Sequence, residues 1–159
     1  MTYKQAKTKH ITFIILGIIA YLFYVMMSDI YPILPPLMGV LFLIFHKHYN
    51  DEKFYISTIV LICLFFYEFD KTLLVGVIPC VFFVVRFFVA EQLESIVLIN
   101  APFVLIYVCS LYLLYFAGLL LCNVLFKTPM LSFSTIYIYY LIMDCIIALL
   151  YYYLTIKER

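Results

Sequence analysis

Charged residues are scarce in this chain. Only 12% of its 159 residues are Asp, Glu, Lys or Arg, whereas 68% are hydrophobic. A water-soluble domain of this size needs a larger polar surface, so the composition excludes an ordinary soluble domain. The formal net charge of +1 also argues against a nucleic-acid partner. We therefore expect the chain to use the lipid bilayer as its solvent.

Glycine is rare, and tryptophan and paired cysteines are absent. With only four glycines, tight small-xxx-small helix packing is not indicated. The five cysteines all lie inside apolar runs and form no CxxC pair, which favours apolar packing over disulfides or a metal site. His46 and His48 lack an evident third ligand, so we interpret them as part of a solvated turn. The sequence therefore predicts no cofactor.

The apolar residues fall into long runs, and the few charges lie between them. This layout predicts an all-α, polytopic membrane helix bundle of about six transmembrane helices, forming a single integral membrane domain over residues 1–159. The expected spans are 11–27, 33–45, 54–67, 72–89, 101–125 and 131–154.

The second and third runs are short for a hydrocarbon core that takes about 20 helical residues. They either both cross the membrane or form a re-entrant hairpin, and the sequence leaves both arrangements open. The fifth run is too long for one crossing. Asn100 and Pro102 near its start predict that the helix begins there.

Basic residues set the expected orientation, because Lys and Arg favour the cytoplasmic side. With the N-terminus inside, only Lys71 and Lys127 of the 10 basic residues fall outside. Arg86 is counted inside, since it lies near the end of its run and can extend its side chain to the interface. The count predicts that both termini are cytoplasmic.

Ionisable residues within or beside the runs carry the most functional information, because burying a charge in lipid is costly. Asp144 lies in the middle of the last run and must face a partner helix, a cavity or another protein. Arg86 is its expected partner within the chain, followed by Asn100. Glu68 and Asp70 end the third run, where they form either an ordinary turn or a polar contact at the outer mouth of the bundle.

Catalytic motifs do not emerge from the sequence. Ser95, Ser110 and Ser132 have no nearby histidine or glycine-rich elbow, and no P-loop, HExxH or dinucleotide fingerprint is present. We therefore expect a non-enzymatic transport, scaffold or partner-binding subunit rather than an enzyme.

Three segments occur in an order that resembles a known family. They are ILPPLMGVLFLIF at 33–45, LFFYEFDKTLLVG at 64–76 and NVLFKTPML at 123–131. In this order they resemble MreD, the rod shape-determining membrane protein family. Pro35 and Pro36 occupy the family's proline site, and Glu68 occupies its acidic site, eight residues before Gly76. Leu34 stands where the family usually has arginine.

The resemblance implies a scaffold subunit of the bacterial cell-elongation complex, located as a multi-pass protein in the inner (cytoplasmic) membrane. Such a subunit binds an MreC-like periplasmic protein and helps to couple MreB filaments to RodA and its class B penicillin-binding partner, with a role in cell shape and peptidoglycan synthesis. The alternative is an S-component-like substrate-binding subunit of an energy-coupling-factor vitamin transporter. The short outer loops favour the scaffold. A small lipid-acting membrane enzyme is a third interpretation.

Overall fold

The computed structural model describes residues 3–71, 75–94, 101–126 and 136–155. Most of these residues are helical, and none of them lies in a strand. The helices are α1 (Tyr3–Ile30), α2 (Met38–Asn50), α3 (Phe54–Asp70), α4 (77–94), α5 (Ala101–Phe126) and α6 (Ile136–Thr155). Helix α4 is composite, because the α-helix Val77–Val84 continues as a π-helix over Val85–Ala90 and ends in the α-helical turn Glu91–Glu94.

The chain divides into two compact units, 1–34 and 35–159. The first unit consists of α1 and the turn after it. Ser28 donates its hydroxyl hydrogen to the Val25 carbonyl at 2.7 Å. The Leu34 amide then closes a turn on the Tyr31 carbonyl at 3.1 Å. Serine bonded to its own preceding turn satisfies its hydroxyl locally, as is usual in apolar helices.

The second unit packs α2 to α6 around an aromatic core. Phe42, Phe45 and Phe82 are fully buried, and Tyr107 is almost so. The rings of Phe42 and Phe82 meet edge to face, with centroids 5.4 Å apart, and Tyr107 approaches Phe42 at 5.7 Å. Such edge contacts add about 0.5–1.5 kcal/mol per pair to the burial of apolar area. Helices α2, α4 and α5 therefore share one core.

Among the described residues, two helices are long and apolar enough to cross a membrane: residues 101–125 of α5 and all of α6. The segment Ile14–Ile30 of α1 is apolar but shorter. The all-helical prediction is confirmed, while the six-span arrangement stays a prediction. The described part of helix α5 begins at Ala101, so its start near Pro102 stays a prediction. Asn100 lies outside the described residues.

The bounds of helix α4 differ from those of the predicted span at 72–89. Helix α4 begins at Val77, after Gly76 at φ 99°, and runs to Glu94. The backbone at Gly76 lies in the left-handed region, which residues other than glycine rarely adopt. The pattern of apolar residues in the sequence does not reveal this conformation. The π-helical turn widens the helix around Arg86.

Candidate functional site: acidic caps inside the bundle

Asp144 in the middle of α6 caps the N-terminus of α2. Its Oδ2 accepts a hydrogen bond from the Gly39 amide at 2.8 Å, and the amides of Met38 and Val40 also point at the carboxylate. The residue before α2, Leu37, has a left-handed backbone at φ 54° and supplies no side-chain cap. Asp144 therefore replaces a local cap with one from a distant helix, and its negative charge matches the positive end of the helix dipole.

The position of Gly39 permits this contact. A Cβ atom at residue 39 would lie 2.7 Å from Val108 Cγ2, 3.2 Å from Asp144 Oδ1 and 3.3 Å from the Ala148 Cβ. Real Cβ atoms essentially never come within 3.0 Å of another heavy atom. The backbone of α2 thus approaches α5 and α6 as closely as a residue without a side chain allows.

Tyr112 of α5 joins the Asp144 carboxylate from the side. Its hydroxyl donates to Asp144 Oδ2 at 3.1 Å. Asp144 is fully buried, and its Oδ1 has no hydrogen-bond partner. The Gly39 amide and the Tyr112 hydroxyl thus provide hydrogen bonds to one oxygen of the carboxyl group. Burial of the group without these bonds would be strongly unfavourable.

These contacts place the first residues of α2 beside the middle of α5 and the middle of α6. Asp144 is eight residues from the start of α6, and Tyr112 is eleven residues from the start of α5. With 13 residues and a rise of about 1.5 Å each, α2 is about 20 Å long. The buried Pro35 and Pro36 precede it as non-helical chain. Helix α2 is therefore a half-helix that begins inside the bundle.

Glu68 at the end of α3 makes a second cap of the same kind. Its Oε2 accepts from the Gly76 amide and its Oε1 from the Ile78 amide, both at 2.6 Å. The carboxylate is fully buried, and α4 has no side-chain cap of its own. Glu68 and Gly76, which lie eight residues apart in the sequence, are thus in direct contact. The neighbouring Asp70 lies 3.9 Å from Lys71 in a partly exposed ion pair.

The expected pairing of Arg86 with Asp144 is wrong. Arg86 Nη2 donates to Asn50 Oδ1 at 2.6 Å, and Nη1 lies 3.5 Å from Glu91 Oε1. The guanidinium carbon also lies 5.3 Å from the centre of the Tyr49 ring. Arg86 and Asp144 contact opposite ends of α2, so the length of that helix separates them.

The interpretation of His46 as a solvated turn residue is also wrong, because its side chain is only 3% exposed. Its ring stacks on Phe42 with centroids 5.8 Å apart. The amide oxygen of Asn50 accepts a hydrogen bond from Arg86. The amide nitrogen of Asn50 therefore faces His46 Nε2, at a distance of 3.4 Å. His48 bonds the Ile44 carbonyl at 2.8 Å.

Sequence reasoning identified both buried acids and Gly76, but not the groups that bind Asp144. It did not identify Gly39, Tyr112 or Asn50. A signal for Gly39 was present in the sequence, since a glycine three residues after a double proline lies in the first turn of a helix whose backbone is open to a cap. The remaining partners depend on which helices are neighbours, and the order of apolar runs does not specify this.

The arrangement is suited to holding helices in place. Both buried acids bind backbone amides, and the buried arginine binds the C-terminal residue of α2. Within the described ranges, no group of three or more His, Cys, Asp and Glu side chains has the geometry to hold a metal ion. The cysteines at 63, 80, 109, 122 and 145 are all free thiols.

Comparisons with known proteins give no relative. No protein-family model matches the chain, and neither a curated protein nor a solved structure matches it.

Proposed function

We propose that this chain is a multi-pass inner-membrane scaffold of the bacterial cell-elongation complex, with the role that its resemblance to MreD implies. In this proposal all six helices lie in the bilayer, and the protein binds an MreC-like single-span partner. MreB, RodA and a class B penicillin-binding protein are its more distant associates. The protein is proposed to act through helix packing and not through catalysis.

One observation carries this proposal: Asp144 and Glu68, the acids buried in the bundle, both serve as helix caps. Each of them is fully buried and bonded to backbone amides of another helix. Amide donors from another helix hold each carboxylate in one position, so each acid fixes the start of that helix. The buried charges therefore favour a rigid assembly of helices, as a scaffold needs.

Helix α6 offers a surface for a partner helix. Its exposed apolar side chains recur every fourth residue and form one ridge. They are Ile138, Ile142, Ile146, Leu150 and Leu154, between 49% and 70% exposed. Ridges of this spacing pack into the grooves of a neighbouring helix. We place the MreC-like partner on this ridge.

Site-specific photo-crosslinking in native membranes tests the proposal. A photoreactive residue at Ile142 is expected to capture a single-span protein with a periplasmic domain. The same residue at Val124, which is 79% exposed on α5, is the matched control and should capture little of that protein. Recovery of an ATPase module in place of the single-span protein would contradict the scaffold and support the vitamin-transporter alternative.

A further inference from the structure

An apolar cleft runs along the contact between α5 and α6. It has a volume of about 180 Å³. Its lining includes Tyr112, Tyr115, Phe116, Leu119, Tyr137 and Leu141. Phenol hydroxyls are the only polar side-chain groups among these residues. Such a lining suits a hydrocarbon, whereas a polar solute would find few hydrogen-bond partners there.

The inner wall of the cleft is held in place by the capped site. Tyr112 lines the cleft, and its hydroxyl is bonded to Asp144 Oδ2 at 3.1 Å. Tyr115 is 7% exposed and Leu119 is also 7% exposed, so both are fixed by packing. The inner wall of the cleft is therefore preformed by packed side chains, and the exposed side chains of Leu113, Phe116 and Ile138 complete the lining.

The position of the cleft matches one leaflet of a bilayer. Its α5 residues extend from Tyr112 to Leu119, which corresponds to about 10 Å along the helix axis. The inner end lies at the depth of Asp144, near the middle of α6, and the other end lies at Tyr137 in the first turn of α6. A tyrosine at a helix end is typical of the membrane interface.

The dimensions distinguish between the possible occupants. A helix is about 10 Å across and would need a groove along the whole membrane thickness. A cleft of about 180 Å³ along two turns of α5 has room for one linear chain. An acyl chain that hangs from the headgroup layer runs parallel to the helix axes, as this cleft does.

We propose that the α5–α6 cleft binds one acyl chain of a membrane phospholipid, from the leaflet that contains Tyr137. The acyl chain lies against Phe116, Leu119 and Leu141, and its methyl end approaches Tyr112. The inference rests on the membrane location in the proposed function and is independent of the identity of any protein partner.

Photolabelling of the full chain in lipid vesicles tests this proposal. The probe is a phosphatidylcholine that carries a diazirine midway along one acyl chain, in vesicles of unlabelled phosphatidylcholine. After photolysis, mass spectrometry of the peptides should show label concentrated at Phe116 and Leu141, several-fold above Val124 and Leu125. The last two residues are 79% and 73% exposed, so simple exposure to lipid would favour them.

Variants that fill the cleft provide the second part of the test. Leu119→Phe and Leu141→Phe, one on each wall, should each reduce the label in the cleft several-fold, while Val124→Phe should not change it. Equal or stronger labelling of Val124 and Leu125 would mean an ordinary lipid annulus and would overturn the proposal. Extraction of the protein from membranes by alkaline carbonate would contradict the proposed membrane location. Loss of partner capture alone would contradict only the scaffold.

Discussion

At the scale of single residues, the decisive positions are those where one helix's backbone meets another helix's side chain. Asp144 and Glu68 each bind the first amides of a helix whose own preceding residue supplies no cap. A buried helix N-terminus without partners leaves several N–H groups unsatisfied, which is strongly unfavourable away from water. These two acids thus allow α2 and α4 to begin within the bundle.

A substitution at Gly39 tests directly whether α2 approaches Asp144 as closely as the structure shows. Gly39→Ala should lower the free energy of unfolding by about 1–3 kcal/mol, because its Cβ would overlap the Val108 side chain. The matched control is Gly17→Ala in α1, where a Cβ meets no atom within 4 Å. It should be neutral or stabilise by up to about 1 kcal/mol, since alanine favours a helix. Thermal unfolding in detergent measures both variants, and equal values would contradict the close approach.

At the scale of elements, α2 is fixed by opposite charges at its two ends. Asp144 lies at its N-terminus, and Arg86 binds its last residue, Asn50. Both charges match the sign that the helix dipole favours at that end. A helix of 13 residues is marginal in isolation, so the stability of α2 comes from its buried face and from the contacts at its two ends.

A double-mutant cycle measures the contact at the C-terminal end of α2. Arg86→Gln and Asn50→Ala should each destabilise the fold, and the two effects should be less than additive by about 1 kcal/mol because they remove the same hydrogen bond. The control cycle uses Lys53 and Asp51, an exposed pair with Nζ and Oδ2 3.3 Å apart. Its coupling should be close to zero. Additive effects of Arg86 and Asn50 would show that their hydrogen bond contributes nothing.

The elements also show how far sequence reasoning extends. The apolar runs predicted an all-helical chain, because apolar patterning acts locally along the chain. The partner of Asp144 was predicted wrongly, because that choice depends on which helix end faces the middle of α6. The π-helical turn around Arg86 is likewise absent from the apolar pattern, since it depends on packing in three dimensions.

At the scale of the whole molecule, the length of the half-helix α2 bears on how the protein crosses the bilayer in its proposed membrane location. At about 20 Å it is shorter than the roughly 30 Å hydrocarbon core. Non-helical chain at membrane depth occurs only where protein or a water-filled cavity surrounds it, and Pro35 and Pro36 are buried. The structure of α2 is therefore compatible with a full crossing completed by these prolines and with a re-entrant hairpin, which differ in where the α2–α3 turn lies.

Labelling from the two sides of the membrane separates these arrangements. With all five native cysteines replaced, Asp51→Cys in the α2–α3 turn should react with an impermeant maleimide only after the inner membrane is opened. Val75→Cys, which is 57% exposed before α4, should react without opening it. Asp51 is suited to the test because its ion pair with Lys53 is exposed and its loss has little effect on stability. This outcome follows from six crossings with a cytoplasmic N-terminus, since basic residues favour that side. Reaction of both positions from outside would mean that α2 and α3 form a hairpin on the outer side, and reaction at Asp51 alone would mean that the whole chain is inverted.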